Sequence, residues 1–207
     1  MNPLAELLDT VRRRVDARLL EALDELASYT RACAAEALPV VAASRDLTMR
    51  GGKRLPRAHR FDGGDHERRS QPLAPAVIDV ACAVEVLQSY LLVHDDWMDH
   101  DTVRRGGPTV HVTLAREYGS EAIGATTAVL GGDLLSSLSQ ELCASAHVEP
   151  ARLHAVLAAF ARMQREVVLG QTLDVLDTAD VDAVHDLKTG SYTVRGPLAL
   201  GHAVAGG

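Results

Sequence analysis

An aspartate-rich segment followed by two arginines is the part of this sequence best suited to chemistry. Asp95, Asp96 and Asp99 lie within five residues, and Arg104 and Arg105 follow. On a helix, side chains four positions apart share a face, so Asp95 and Asp99 would project together. Carboxylates held this close repel one another unless a cation compensates them. Mg²⁺ is suited to this role, because one or two carboxylates, waters and phosphate oxygens commonly hold it.

The arginines extend this prediction to a phosphate ligand. Guanidinium groups bind phosphate oxygens through paired hydrogen bonds, so Arg104 and Arg105 would complete a magnesium-bridged diphosphate site. A solvated helix end followed by a basic turn is the alternative, and the Asp and Arg content alone does not exclude it.

The apolar run from Ala76 to Val93 would position the aspartates. Asp79, Glu85 and Gln88 interrupt it, which favours a buried helix over a membrane span. We expect this helix to continue through the aspartates and to end at Gly106-Gly107-Pro108.

Helical spacing of apolar residues dominates the rest of the chain. Helices are predicted from Asn2-Pro3 onward, over 121–146, over 150–177, and after Asp180, with Pro197 bending the last one. A short element is predicted from Val110 to Tyr118, and no segment has a convincing strand pattern. Gly131 and Gly132 lie in mid-helix, where glycine is commonly tolerated because two helices approach closely.

Composition limits the function classes. Of the 207 residues 47% are apolar and only 3% aromatic, which favours a single domain of packed helices. The net charge of −7 argues against a general nucleic-acid binder. Cys33, Cys82 and Cys143 are odd in number and far apart, so we expect them to be core residues of a cytoplasmic protein. No N-terminal segment resembles a signal peptide.

Five motifs, in the same order, resemble signatures of the trans-polyprenyl diphosphate synthases. They are Gly51-Gly52-Lys53-Arg54, His94-Asp95-Asp96-Trp97-Met98-Asp99 with Thr102-Val103-Arg104-Arg105-Gly106, Gly132-Asp133, Gly170-Gln171-Thr172-Leu173-Asp174, and Lys188-Thr189-Gly190-Ser191-Tyr192. The resemblance implies an all-α, isoprenoid-synthase-type helical bundle over residues 1–207, incomplete at its C-terminus.

The family condenses an allylic diphosphate with isopentenyl diphosphate and releases pyrophosphate, using Mg²⁺. The resemblance implies that Asp95, Asp99 and Asp174 hold the metal and that Asp96 supports them. It also implies that Arg104, Gln171 and Lys188 bind the allylic diphosphate. The developing cation would lie near Thr189. Isopentenyl diphosphate would be bound by Lys53, Arg57, Gln88 and Arg105. The Gly-Gln-x-x-Asp motif would face the aspartate motif across a cavity.

Tyr90 and Leu91 match the positions that limit product length in this family. Tyr90 lies five residues before Asp95, while Leu91 is only moderately bulky. With no insertion inside the aspartate motif, the chain most resembles enzymes that make geranylgeranyl diphosphate, and farnesyl diphosphate remains an alternative.

The sequence departs from the family pattern at residues 57–72. The expected arginine-proline order is inverted to Pro56-Arg57, and a polar, glycine-containing stretch replaces an apolar helix. A basic substrate-clamping insertion is one explanation. An out-of-frame reading that resumes near Leu73 is the other, and it accounts for a break that begins inside a motif without a replacement helix.

No second aspartate-rich motif precedes Gly207. We therefore expect a truncated synthase whose 207-residue polypeptide alone has little or no activity, working as a homodimer or within a heteromer. The alternative function is a non-catalytic subunit that modulates a partner prenyl synthase. A terpene cyclase is weaker, because such enzymes lack the Gly-Gly-Lys-Arg loop.

Overall fold

Helices make up nearly all of the part of the chain that the computed structural model describes, residues 3–51, 75–177 and 181–206. They are α1 (Pro3–Cys33), a 3₁₀ turn (Ala35–Ala37), α2 (Leu38–Met49), α3 (Pro75–Met98), α4 (Val110–Tyr118), α5 (Glu121–Ala144), α6 (Pro150–Leu176), α7 (Val181–His185), a π-helix (Asp186–Arg195) and α8 (Gly196–Ala205). The predicted all-α class is confirmed.

A small hairpin was not anticipated by the sequence pattern. Strands β1 (Val103–Arg104) and β2 (Gly107–Pro108) pair antiparallel, with Val103 opposite Pro108 and Arg104 opposite Gly107. The prediction that no segment forms a strand is therefore wrong at this point. Strands of two residues are too short to show an alternating pattern of apolar and polar residues.

Three predicted features lie outside the described residues. They are Lys53 of the Gly-Gly-Lys-Arg motif, the polar stretch 57–72 that includes Arg57, and the cap residue Asp180.

The helices fall into two compact units. The aspartate unit comprises residues 13–51 and 82–142, and the lysine unit comprises residues 3–12, 75–81 and 143–206. Each unit has its own aliphatic interior. Fully buried leucines of the aspartate unit are Leu19, Leu23, Leu47, Leu87, Leu114 and Leu135. The interior of the lysine unit includes Val156, Phe160, Met163, Val167 and Leu200.

Helix α3 lies in the protein interior because most of its side chains are apolar. Within the described ranges it is the one helix long and apolar enough to cross a membrane, yet 78% of its apolar window is buried inside the protein. Burial of each large aliphatic side chain contributes about 1.5–3 kcal/mol, so α3 stabilises the fold as a core helix does.

The end of α3 differs from its prediction. The helix stops at Met98, and His100 adopts the left-handed conformation with φ 56°. The His100 amide donates to Trp97 O at 3.3 Å and the Asp101 amide to Asp96 O at 2.8 Å. This is the Schellman pattern that closes a helix C-terminus. The Gly106-Gly107-Pro108 stop was therefore wrong, because the helix has already ended and these residues belong to the hairpin.

The mid-helix glycines lie at close contacts, as predicted. A β-carbon at Gly131 would lie 2.9 Å from both Ser44 Oγ and Val40 Cγ1, on α2. A β-carbon at Gly132 would overlap the His94 ring of α3. At the other end of the chain, the π-helix gives way to α8 at Gly196, next to Pro197, where a bend was expected.

The cysteine prediction holds for two of the three residues. Cys82 and Cys143 are buried, and burial raises the pKa of Cys143 to about 12. Cys33, the last residue of α1, is exposed, so the expectation that all three are core residues is wrong. The helix ends there, and its end projects into solvent.

These exposures predict the reactivity of the thiols. In the native protein, a neutral disulfide reagent should titrate one thiol quickly, at Cys33, because the buried Cys143 is protonated and inaccessible. Unfolding in denaturant should release all three. Cys33→Ser should abolish the fast reaction, whereas fast native labelling at Cys143 would contradict the burial.

Candidate functional site

Asp95 and Asp99 lie one helical turn apart at the end of α3. The Asp99 amide donates to Asp95 O at 2.8 Å, so the helical hydrogen-bond pattern continues through Asp99. Asp99 is exposed and Asp95 is half-buried. The predicted sharing of a helix face is therefore confirmed for these two carboxylates.

Asp96 is the buried member of the aspartate segment and forms an ion pair with Arg104. Its side chain is 1% exposed, and Oδ1 accepts from Arg104 Nε at 2.6 Å and lies 2.5 Å from Nη2. The same Nη2 donates to Asp101 Oδ2 at 2.7 Å. Burial raises the pKa of Asp96, and the hydrogen bond from Arg104 opposes this. The hydrogen bond to Asp96 in turn raises the pKa of Arg104.

Arg105 occupies a strained position in the hairpin loop. Arg105 and Gly106 both have positive φ, 52° and 74°, as in the two-residue turns that match hairpin twist. A residue with a side chain pays for this conformation, which persists only where other contacts fix it. Here Arg105 Nη1 donates to Leu47 O on α2 at 3.1 Å.

Sequence reasoning missed Arg50, which connects α2 to the hairpin. Its guanidinium donates to Arg104 O at 2.8 Å and to Pro108 O at 2.7 Å, and Nε lies 2.9 Å from Asp46 Oδ2. Only its position directly before the Gly51-Gly52 motif hinted at importance, since the two hairpin carbonyls that it binds lie more than fifty positions away.

Lys188 and Asp174 form the centre of the lysine unit's predicted site. Lys188 Nζ donates to Asp174 Oδ2 at 2.6 Å, and both side chains are partly exposed. Nearby in sequence, the Gln171 Nε2 amide is buried and donates to no residue in the described ranges. A buried amide without a protein partner is suited to a ligand or to water.

The Gly-Gln-x-x-Asp motif has a packing role as well. A β-carbon at Gly170 would lie 2.7 Å from Lys188 Cα and 2.7 Å from Leu187 C. Glycine therefore lets α6 touch the backbone of the π-helix at the residue that carries the lysine. π-helical turns are rare and occur frequently at functional sites.

Tyr90 contacts His94 one turn along α3. Their rings are 4.8 Å apart in an edge-to-face arrangement, and His94 Nε2 lies 3.0 Å from Val129 O. Burial, followed by the charge of Asp133, raises the pKa of Tyr90.

The two units divide the predicted site residues between them. The aspartate unit holds Gln88, Tyr90, Leu91, Asp95, Asp96, Asp99, Arg104 and Arg105. The lysine unit holds Gln171, Asp174, Lys188 and Thr189. Gln88, Leu91 and Thr189 are half-buried. The facing of the two sets across a cavity stays a prediction.

The donor set suits a hard divalent cation that also binds its substrate. In residues 3–51, 75–177 and 181–206, no three His, Cys, Asp or Glu side chains converge on one metal position. Asp95 and Asp99 carry carboxylate oxygens on adjacent turns, whereas the carboxylate of Asp96 is paired with Arg104. One or two carboxylates with phosphate oxygens and water are the usual Mg²⁺ environment. The residues present therefore fit Mg²⁺ bound together with a diphosphate.

The observations define an all-α protein whose candidate site combines paired carboxylates at a helix end with fixed cations. The Polyprenyl synthetase family model matches residues 40–207, and the chain belongs to this family.

Named relatives agree with this membership. A geranylgeranyl diphosphate synthase from Methanosarcina mazei is 34% identical over 175 residues, 83% of this chain and 48% of that protein. A geranylfarnesyl diphosphate synthase from Natronomonas pharaonis is 33% identical over 190 residues, which cover 83% of this chain and 52% of that protein. A geranylgeranyl pyrophosphate synthase from Corynebacterium glutamicum, crystallised with isoprenyl diphosphate and magnesium, gives a TM-score of 0.84 at 29% identity, covering 97% of this chain and 61% of that one. The chain spans about half the length of the curated relatives it matches.

The Asp96–Arg104 pair predicts a stability effect. Arg104→Ala should lower the free energy of unfolding by about 2 kcal/mol, because it leaves a buried carboxylate without its strongest partner. Urea titration followed by circular dichroism measures this. Arg45→Ala is the matched control, since Arg45 pairs with exposed Asp24 at 3.0 Å and should cost under about 1 kcal/mol. Equal losses in the two variants would contradict the assignment.

The contact between α6 and the π-helix predicts a second effect. Gly170→Ala should destabilise the protein by about 1–3 kcal/mol, because the added methyl meets backbone that moves only with the whole π-helix. Gly190→Ala is the control, because its nearest neighbour is the flexible Asp186 side chain at 3.0 Å. Urea titrations of both variants decide the point, and a neutral Gly170→Ala would refute the tight contact.

Proposed function

We propose that this protein condenses an allylic diphosphate with isopentenyl diphosphate, yielding geranylgeranyl diphosphate and pyrophosphate. The observation that carries the proposal is the end of α3, where Asp95 and Asp99 lie one turn apart next to the fixed arginine Arg104. Paired carboxylates recruit a divalent cation, and the adjacent guanidinium supplies positive charge for a diphosphate. Family membership supports the same reaction.

The cations of the chain have distinct proposed roles. Arg104 and Lys188 bind the allylic diphosphate, and Gln171 donates its buried amide to the same group. Arg105, Gln88, Lys53 and Arg57 bind isopentenyl diphosphate. Thr189 lies beside the allylic carbon, where its hydroxyl oxygen stabilises positive charge.

The reaction proceeds by departure of the diphosphate. The allylic carbon–oxygen bond breaks and its electron pair leaves with pyrophosphate. The double bond of isopentenyl diphosphate then attacks the allylic cation, a carbon–carbon bond forms, and loss of a proton restores a double bond. Asp95 and Asp99 would hold Mg²⁺, which would neutralise charge on the leaving group. Arg104 and Lys188 orient that group, and the apolar residues of α3 exclude water from the cation.

Product length is assigned from Tyr90 and its surroundings. The Tyr90 ring is fixed against His94, so it would present a defined wall to the growing chain. Leu91 is smaller and would leave room beside it. The relatives named geranylgeranyl and geranylfarnesyl diphosphate synthases support a product of this size range.

A second subunit is part of the proposal. Helix α5 exposes Ile123, Leu130 and Leu134, spaced seven and four positions apart and therefore on one face. Such a face favours association as a homodimer or heteromer. The proposed location is the cytoplasm. The relatives named as synthases favour a catalytic role over the non-catalytic subunit.

Substitution of the metal-binding carboxylates tests the function. With protein expressed from its complete gene, Asp95→Asn and Asp99→Asn should each reduce incorporation of labelled isopentenyl diphosphate by about 100-fold or more. EDTA should abolish incorporation and added Mg²⁺ should restore it. Calorimetry should show that both variants lose Mg²⁺-dependent pyrophosphate binding.

Asp24→Asn is the matched control, because Asp24 is an exposed carboxylate that pairs with Arg45. It should leave both incorporation and pyrophosphate binding unchanged. Metal-independent pyrophosphate binding, or equal losses in all three variants, would count against the proposal.

A further inference from the structure

We propose that Arg50 is a positioning residue that fixes the hairpin carrying Arg104 and Arg105, and thereby sets the affinity for the diphosphate substrates. This inference rests on the proposed function for its substrates. Its structural basis lies entirely within the aspartate unit and is independent of that function.

Arg50 bridges both strands of the hairpin. It donates to Arg104 O on β1 at 2.8 Å and to Pro108 O on β2 at 2.7 Å, and its side chain is 18% exposed. The planar guanidinium presents parallel donors, so it holds two carbonyls in a fixed relation that a lysine cannot reproduce. One of the two carbonyls belongs to Arg104, so Arg50 directly fixes the backbone of a residue that is predicted to bind substrate.

The glycine at position 107 makes room for this contact. A β-carbon at Gly107 would lie 2.8 Å from Arg50 Cζ and closer still to Nη1. The three heavy atoms nearest to that β-carbon all belong to Arg50, and Gly107 does not have the positive φ that disfavours side chains. A methyl group would therefore displace the guanidinium at little cost to the backbone.

The hairpin needs external fixation. Two-residue strands are marginal on their own, and Arg105 holds an unfavourable positive φ in the loop. Arg50 and Arg105 both tie the hairpin to the C-terminal end of α2. Arg50 also directly precedes the Gly51-Gly52-Lys53-Arg54 motif, so one residue joins the two predicted diphosphate-binding segments.

An ordinary helix-end role for Arg50 does not explain its geometry. A basic residue in this position commonly interacts with the last carbonyls of its own helix. Arg50 instead uses Nη1 and Nη2 for carbonyls more than fifty residues away, and only Nε lies near its own helix, at Asp46.

Three single variants and one double variant test the inference. Arg50→Ala and Gly107→Ala should each raise the KM for isopentenyl diphosphate by about 10-fold, because the arginines lose their alignment, with kcat changed less. Arg50→Lys should not rescue the KM. The double variant should be no worse than Arg50→Ala, because the methyl then has no guanidinium to displace. Arg45→Ala, which removes a half-exposed arginine of α2 that lies outside the hairpin contacts, is the control with unchanged kinetics.

Hydrogen exchange separates this inference from the proposed function, because it needs no substrate. The Thr109 amide donates to Thr102 O at 3.1 Å beside the paired strands. A peptide spanning 102–110 should exchange faster in Arg50→Ala and Gly107→Ala than in the wild type or Arg45→Ala. Unchanged exchange overturns the positioning role even if the wild type is fully active.

Faster exchange with an unchanged KM also overturns the link to substrate affinity. If a variant lost activity because the whole protein unfolded, hydrogen exchange would be faster throughout the protein and not only in the hairpin peptide. Because Gly107→Ala retains the arginine and meets only its side chain, it keeps the inference testable if Arg50→Ala fails to fold. A wild-type protein that condenses no prenyl diphosphates would refute the proposed function alone, with the exchange result still deciding the role of Arg50.

Discussion

The ion pair between Asp96 and Arg104 is the interaction on which the candidate site depends. Asp96 is 0% exposed, and a carboxylate in that environment is stable only with a close cationic partner. Arg104 supplies it from the hairpin, so the end of α3 and the hairpin are held together by charge. Asp96 Oδ1 is thereby committed to Arg104, while Asp95 and Asp99 lie one helical turn apart on either side of it in sequence. The buried pair therefore distinguishes Asp96 from Asp95 and Asp99, the two carboxylates proposed to bind metal.

Two of the family motifs in this chain contain a glycine that allows another element to pack closely. Gly132 admits the His94 ring, and Gly170 admits the backbone of Lys188. In each case the glycine directly precedes a polar residue of the motif, Asp133 or Gln171. In both motifs the glycine therefore allows a second element to pack closely against its helix.

Sequence reasoning succeeded where the determinants were local and failed where they were not. The spacing of Asp95 and Asp99 and the approximate limits of α4, α5 and α6 follow from patterns along one element, whereas α2 was not predicted. The end of α3 was misjudged because the left-handed closing residue is His100 instead of a glycine. The Arg50 contacts join residues 54 and 58 positions apart, so no local pattern indicates them. The π-helix differs from an α-helix only in hydrogen-bond register, which composition does not encode.

The cations differ in how they can receive a diphosphate. The Asp174 carboxylate that Lys188 binds is partly exposed, so exchanging it for a phosphate oxygen would leave no buried charge behind. Arg104 cannot make that exchange, since Asp96 would be stranded in the interior. Its hydrogen bonds within the described part of the chain use Nε and Nη2, which keeps Nη1 available for a ligand. Arg104 would therefore bind a diphosphate without releasing Asp96, as a preoriented donor, whereas Lys188 would change partners. Arg104 would then bind the diphosphate only through its remaining nitrogen, Nη1. The hairpin sets the orientation of that nitrogen, and would therefore control how much binding energy Arg104 supplies.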